Sequence, residues 1–362
     1  MEMYKRLYRV EGNAYERGKQ AGEQMNEQMK ANYNNQVTFY KNQGYDYADW
    51  EAIAERRYVP ILEKWAPEVL DEVRGMADGS DLSFAQVLAM TTAYEKSFAV
   101  DTVADKHVDG KCTSFLATGE ATKGGQTVIG QTNDEDLIEW IYQLDVVVHH
   151  VDPETGKEQL IYTHPGVPAY MGMNNDGVAV LWTYIDNGKL NEEGGVPTCV
   201  IIRHLLECSS TEEAVNYLQT IPHDIPNEFG IGDKSGDVAQ VECFPNAVYV
   251  QRGLPTMAHT NHNRFSDPEP EETVSATTFD RCELMEEQLK ENYGNIDVDV
   301  AKEFFKCHDR FPNGICVHPC ADRPYRKTFA AQVYELEAGK MHITFGNACE
   351  HPYMTYEFDT YR

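Results

Sequence analysis

The sequence predicts an α+β protein in which two antiparallel sheets lie between helical layers, behind a helical N-terminal segment. Three observations carry this. The first hundred or so residues are rich in good helix formers, with apolar side chains at helical spacing. After Lys111 the texture changes to short β-branched and aromatic runs broken by Gly, Asn and Asp. From there the order is strands, two helices, strands, two helices, strands. That order lacks the strand–helix alternation of a parallel sheet.

Taken along the chain, residues 16–35 hold Gln, Glu, Met, Lys and Ala and read as helix. Pro67 suits a first helical turn, with Val69, Leu70, Val73 and Met76 following at helical spacing. Ser83 reads as an N-cap, with Phe84, Val87, Leu88 and Thr91 on one face behind it. Gly75, Gly79 and the pair Asp109-Gly110 read as punctuation. Strands are expected at 113–117, 126–131, 145–150, 160–163 and 178–184. Lys123-Gly124-Gly125 and Asn175-Asp176-Gly177 supply turns between them. Helices follow at 197–208 and 211–218, the second capped by Ser210 or Thr211. Strands at 229–232, 238–243 and 247–251, helices at 278–292 and 298–308, and a hairpin of 329–336 with 341–345 complete the pattern. Residues 266–272 (SDPEPEE) read as a polar, exposed loop.

Composition narrows the function. Against 59 acidic residues stand 31 basic ones, a net charge of −28 over 362 residues. Phosphate backbones and anionic membrane surfaces both need concentrated positive charge, so no nucleic-acid or membrane partner is expected. A hydrophobic fraction of 41% supports a sizeable core. No apolar run reaches the ~18 residues of a membrane span. The opening MEMYKRLYRV lacks the apolar stretch of a secretory signal, so a cytoplasmic location is expected. Nine cysteines, an odd number in a long chain, read as mostly buried reduced thiols.

No phosphate-binding loop, dinucleotide fingerprint, HExxH or GxSxG motif is present. The position that stands out is Cys112, in DGKCTSF, where the helical leader gives way to the first strand. A buried structural cysteine is the ordinary fate of such a residue. The chemical alternative is cleavage of the peptide bond before it. Cys112 would then carry a thiol beside a free α-amine, whose ordinary pKa of ~7.7–8.0 lets it act as the thiol's own base.

Several segments in order carry a family resemblance. VEGNAYERGKQAGEQ is similar to the opening of acyl-coenzyme A:6-aminopenicillanic acid acyltransferase-like proteins, which are N-terminal-nucleophile (Ntn) hydrolases made as precursors. KCTSF resembles the start of their processed chain, GGQTVIGQTND their G-Q-N-x-D segment, and GMNNDGVAV a strand entry with Asn at its third position, here Asn174. HTNH and ICVHPCADRPYRKTFAAQV resemble two later segments. The resemblance implies a four-layer αββα Ntn-hydrolase sandwich, with residues 1–111 as helical leader or α-chain and 112–362 as the catalytic chain. In one departure, Lys111 stands where the family has Gly, with Gly110 one position earlier. Self-cleavage uses a strained peptide that Gly accommodates most easily, so the family's rate of processing does not carry over with the thiol.

Chemistry and resemblance together assign Cys112 as nucleophile, the bond between Lys111 and Cys112 as the cleavage site, and Asn261 as a donor to the tetrahedral oxyanion. Asp134 would hold the new α-amine. Asn174 either supports the site or only turns its strand. Arg326 resembles a substrate-side basic residue, a place that Arg323 or Lys327 also fits. His259 and His262 flank Asn261, but a free α-amine makes a histidine base unnecessary. Cys307, His308, Cys316, His318 and Cys320 crowd one segment without Cys-x2-Cys spacing, and buried thiols are the preferred reading over a metal site.

The implied function is a self-processing cysteine amidohydrolase that opens a linear N-acyl amide through an acyl-thioester on Cys112. It needs no cofactor. Acyl-coenzyme A-dependent N-acyltransfer is the alternative, with acyl-coenzyme A as a substrate. An unprocessed protein that only binds an acylated ligand is the third. Partners would be the acylated small molecule and the cleaved leader, and a homo-oligomer is compatible with the sequence.

Overall fold

A computed structural model describes residues 6–42, 44–99, 112–136, 144–186, 189–266 and 275–358. Its first sheet has eight strands: β1 (Leu7–Glu11), β4 (Val146–Val151), β5 (Glu158–Thr163), β6 (Met171–Asn174), β7 (Val178–Tyr184), β8 (Asn227–Asp233), β9 (Val238–Phe244) and β10 (Ala247–Arg252), in that spatial order. The second has six: β11 (Thr256–His259), β2 (Cys112–Gly119), β3 (Gly125–Asp136), β12 (Arg326–Glu335), β13 (Lys340–Phe345) and β14 (Met354–Glu357).

The two sheets pack face to face through β2 and β3 against β7 and β8. Side chains on β2 alternate as a strand requires. Leu116 joins Val180, Phe229 and Ile231 in the core between the sheets. Phe115 and Ala117 point the other way, into a second cluster with Met285 and Phe304. Those two residues belong to α9 (Ala276–Glu291) and α10 (Val298–Phe304), which cover the outer face of the six-stranded sheet. The eight-stranded sheet is covered by α7 (Thr198–Leu205) and α8 (Thr211–Thr220). The result is the αββα order of layers. With both faces covered, strands such as β2 and β5 are buried almost throughout. Their sequences, CTSFLATG and EQLIYT, therefore lack a clean apolar–polar alternation.

The N-terminal segment corrects two expectations. It is not wholly helical: β1 opens it and pairs in parallel with β4, so the larger sheet is not purely antiparallel. Residues 16–35 are also not one helix. They divide into α1 (Ala14–Gln24), closed at Met25, and α2 (Asn26–Asn42). Beyond them lie α3 (Tyr47–Trp65), α4 (Pro67–Gly79), α5 (Phe84–Thr91) and α6 (Ala93–Ala99). Ser83 caps α5 as expected, in a capping box with Gln86.

Gly75 is not a turn residue but lies inside α4, while Gly79 ends that helix. Both pack against Gly18 and Gly22 of α1, and a Cβ on Gly18 or Gly75 would overlap the backbone carbonyl of Glu72 or Tyr15 respectively. Glycine at these four positions lets two helix backbones touch.

This leader shares a core with the rest of the chain. Trp50, Tyr58, Leu62 and Val69 pack with Val147, Val200 and Ile201. Polar ties cross the same boundary in buried surroundings. Arg203 pairs with Glu72 at 2.9 Å and Arg57 with Asp224 at 2.6 Å. Tyr58 donates to Asp224 at 2.7 Å, and Glu95 accepts from the backbone N–H and hydroxyl of Thr198, each at 2.8 Å. Losing one partner of such a pair strands a buried charge, at a cost of about 3–5 kcal/mol. Lys111 and residues 267–272 of the expected polar loop lie outside the described residues.

Candidate active site

Cys112 opens β2, buried, with Asn133 of β3 as its cross-strand partner. By strand alternation its side chain shares the face of Leu116, towards the eight-stranded sheet. On its other edge β2 pairs with β11, whose final residue, His259, lies opposite Ser114. The chain leaving β11 is the HTNH segment. Thus the register that aligns β11 with β2 also delivers Asn261 to the first residue of β2.

The contact is direct. The backbone N–H of Cys112 donates to the Asn261 side-chain oxygen at 3.0 Å. Arg281 of α9 donates to that same oxygen at 2.9 Å, to the Thr113 hydroxyl at 2.8 Å and to the Cys112 carbonyl oxygen. The Asn261 amide group donates to Tyr184 O at 2.9 Å. With two donors aimed at one end and a carbonyl at the other, the orientation of this carboxamide is fixed. The Asn261 oxygen faces the nitrogen of Cys112 and one N–H is engaged by Tyr184, which leaves the second N–H for the expected oxyanion role.

Asp134, near the end of β3, is fully buried and not a solvated loop acid. Its two carboxylate oxygens accept from Thr328 at 2.6 Å and Thr132 at 3.2 Å. Burial pushes its carboxyl up to about 6, against the pull of Arg281, the two threonines and Arg326. Burial also drives the Cys112 thiol far above its ordinary range, with Asp134 and Glu135 adding to the rise and Arg281 opposing it. In this uncut arrangement the thiol keeps its proton at neutral pH.

Arg326 begins β12 and is buried close enough to Asp134 to lower its pKa. Arg323 and Lys327 face elsewhere: Arg323 donates to Pro312 O and Asn313, and Lys327 lies 3.9 Å from Glu350. Asn174 stands apart from the group. Its amide donates to Leu206 O and Cys208 O, and its oxygen accepts from the N–H groups of Asp176 and Val178. It holds the turn into β7, where Gly177 adopts φ +88°, and none of its hydrogen bonds reaches Cys112. His259 is bound to Glu242 at 2.9 Å and lies 3.1 Å from Thr183, while His262 packs on Phe279 and contacts Thr278 at 3.0 Å. Both histidines anchor the HTNH turn.

Sequence reasoning missed Arg281 and Asn133. Arg281 lies on the buried face of α9 with Thr277, Thr278, Cys282 and Met285, and a lone arginine on such a face is the signal that could have found it. Asn133 accepts from Tyr170 at 2.8 Å and donates to Tyr162 at 3.3 Å. Those contacts tie Cys112's cross-strand partner to an aromatic wall. Tyr94, Tyr170 and Trp182 form it, with ring centroids 4.6–5.8 Å apart, and both tyrosines lie close enough to Cys112 for its thiolate form to raise their pKa.

The sequence profile of the acyl-coenzyme A:6-aminopenicillanic acid acyl-transferase family matches residues 121–350, a stretch that holds Asp134, Asn261, Arg281 and Arg326 and begins after Cys112. No curated protein matches the chain. Among solved structures, penicillin V acylase from Agrobacterium tumefaciens is similar at 15% identity, over 65% of this chain and 83% of that one, with a TM-score of 0.44. An N-acylethanolamine-hydrolyzing acid amidase ortholog of Caenorhabditis elegans is similar at 15% identity, over 62% and 93%, with a TM-score of 0.47. A variant of conjugated bile acid hydrolase from Clostridium perfringens is similar at 16% identity, over 68% and 97%, with a TM-score of 0.43. The profile covers well over half of the residues, and on that ground this chain belongs to the acyl-coenzyme A:6-aminopenicillanic acid acyl-transferase family, among the Ntn-type acyl-amide hydrolases and acyltransferases.

Proposed function

We propose that the protein is a self-processing cysteine amidohydrolase, with Cys112 as its nucleophile and a linear N-acyl amide as its substrate. The observation that carries this is the 3.0 Å hydrogen bond from the Cys112 backbone nitrogen to Asn261. Cleavage before Cys112 would turn that nitrogen into the α-amine, already held by a fixed acceptor.

Processing begins when the Cys112 thiol attacks the Lys111 carbonyl carbon. Acyl transfer from nitrogen to sulfur leaves Lys111 as a thioester and frees the α-amine, and water then hydrolyses the thioester. Residues 1–111 and 112–362 become separate chains that share one core. In turnover the α-amine takes the thiol proton and the thiolate attacks the substrate carbonyl. The second N–H of Asn261 serves the oxyanion, and Arg281 holds Asn261 in place. The α-ammonium returns its proton to the leaving amine, and water releases the acid from sulfur. Asp134 and Arg281 act as positioning groups around the Cys112 backbone. The aromatic wall of Tyr94, Tyr170 and Trp182 suits an apolar acyl chain.

The test is mass spectrometry of acid-quenched protein after incubation with N-acyl amides. An acyl adduct on the chain beginning at Cys112, absent in Cys112→Ala, is expected. Amide hydrolysis that survives in Cys112→Ala would end the reading.

The family's description favours acyl transfer as a second reading. Coenzyme A is polyanionic, so at a net charge of −28 its use would need a local basic patch. Acyl-coenzyme A turnover that falls steeply with salt would favour transfer, and salt-indifferent amide cleavage would favour hydrolysis.

A further inference from the structure

Away from Cys112, a second constellation has the donor set and dimensions of a metal centre. His308, Cys316, His318 and Cys349 each offer one ligand atom, and the four atoms lie within 4.8 Å of one another. The two sulfurs are 3.6 Å apart and the two Nε2 atoms 3.1 Å apart. His318 Nε2 lies 3.6 Å from Cys316 Sγ and 3.3 Å from Cys349 Sγ. A tetrahedral zinc with bonds of ~2.3 Å to sulfur and ~2.0–2.1 Å to nitrogen has edges of about 3.8 Å for S···S, 3.3–3.4 Å for N···N and 3.5–3.6 Å for S···N. These four of the six edges fall within about 0.3 Å of those values, and every pair of ligand atoms lies within 4.8 Å. A disulfide does not describe the pair, because its sulfurs would be ~2.05 Å apart. Hydrogen bonds alone would crowd three donors, from His308, Cys316 and Cys349, onto the single lone pair of His318 Nε2.

We propose that His308, Cys316, His318 and Cys349 form a structural zinc site. Two thiolates balance the charge of the ion, and four protein ligands leave no position for a substrate, which marks a structural and not a catalytic centre. The surroundings support the ligands as metal sites require. Asn347 donates to Cys316 Sγ at 3.3 Å and to Val317 O at 2.8 Å. Glu350 Oε1 lies 3.7 Å from Nδ1 of His318, which favours the proton on that nitrogen and turns the Nε2 lone pair inward. Sequence reading had grouped Cys307 and Cys320 with this segment. The structure leaves both out and supplies Cys349 from the turn after β13.

The site pins the segment between α10 and β12 to that turn, beside the start of β12. Val317, between two ligands, exchanges hydrogen bonds with Thr328: its N–H reaches the Thr328 hydroxyl at 2.9 Å and its carbonyl accepts the Thr328 N–H at 3.0 Å. Thr328 in turn donates to Asp134 at 2.6 Å. Zinc would therefore stiffen the backbone that holds Asp134.

Elemental analysis of the full chain, purified under reducing conditions and loaded with zinc, tests this, together with the visible spectrum after cobalt(II) replacement. About one zinc per chain and the intense bands of tetrahedral, thiolate-bound cobalt are expected. Cys349→Ser and His308→Ala, both at exposed positions, should lose the zinc and the spectrum. Cys307→Ser and Cys320→Ser should keep both. Three results would overturn the proposal: no zinc retained by the wild-type chain, zinc retained equally by Cys349→Ser and His308→Ala, or a Cys316–Cys349 disulfide in peptide mapping of freshly reduced and repurified protein.

Discussion

Arg281 and Asn261 meet at 2.9 Å, through a guanidinium nitrogen and the side-chain oxygen that also receives the Cys112 N–H. The same arginine reaches Thr113 and the Cys112 carbonyl, so a residue from a helix clamps the first residue of a strand to a turn. Its planar fork spans these acceptors in a way that one ammonium group does not. Arg281→Lys should therefore fold, with N-acyl amide turnover lowered by roughly 10- to 100-fold. The cut before Cys112 should be slowed in parallel, as read on a denaturing gel over time. Wild-type rates of both would remove Arg281 from the account.

Replacing Asn261 by Asp should move the pH profile. A carboxylate facing the α-amine favours the ammonium form and raises its pKa. The acid limb of the activity profile, which reports that amine, should shift upwards by about one pH unit. A profile that only loses amplitude would make Asn261 a structural residue alone.

Asp134 links stability to pH. Burial raises its carboxyl to about 6 in the folded chain, above the ordinary aspartate range. A group whose pKa is raised by folding contributes stability that is fully present below the unfolded value and is lost as pH rises through the folded one. In the wild-type chain that contribution fades between about pH 4 and pH 6–7. Asp134→Asn removes the titration, so its Tm should fall less than the wild type's across that window. Parallel Tm curves would show that Asp134 does not carry the effect.

The contact between α1 and α4 gives a prediction on folding. Gly18→Ala or Gly75→Ala places a methyl group inside the facing backbone, so the helices must separate. Overpacking of this kind costs about 1–3 kcal/mol and often more where backbone cannot yield. A clear drop in Tm is expected for each. Gly44→Ala, where nothing lies near, should show only the smaller strain of its φ of +80°.

What the sequence could reveal followed from local pattern. The long buried strands β2, β7 and β9 and the helices α4, α5 and α8 announce themselves through apolar runs, Pro67 at a first turn, and the Ser83 and Ser210 caps. The four-residue strands β6, β11 and β14 are too short to show a period and exist because a neighbouring edge pairs with them. Gly75 looks like a turn residue until the partner helix is seen. At the site, Cys112 stood out by its place at a change of texture. The direction in which Asn261 points depends on Arg281 and Tyr184, which are distant in sequence. Cys349, 31 residues beyond His318, joins the cysteine–histidine cluster only through the fold.

The most direct test of the central claim is the intact mass of the purified full-length protein. Two chains are expected, the larger beginning with an unmodified Cys112 and the smaller ending at Lys111, while Cys112→Ala remains one chain of 41.1 kDa. A wild-type protein that stays a single 41.1 kDa chain while hydrolysing N-acyl amides would contradict it.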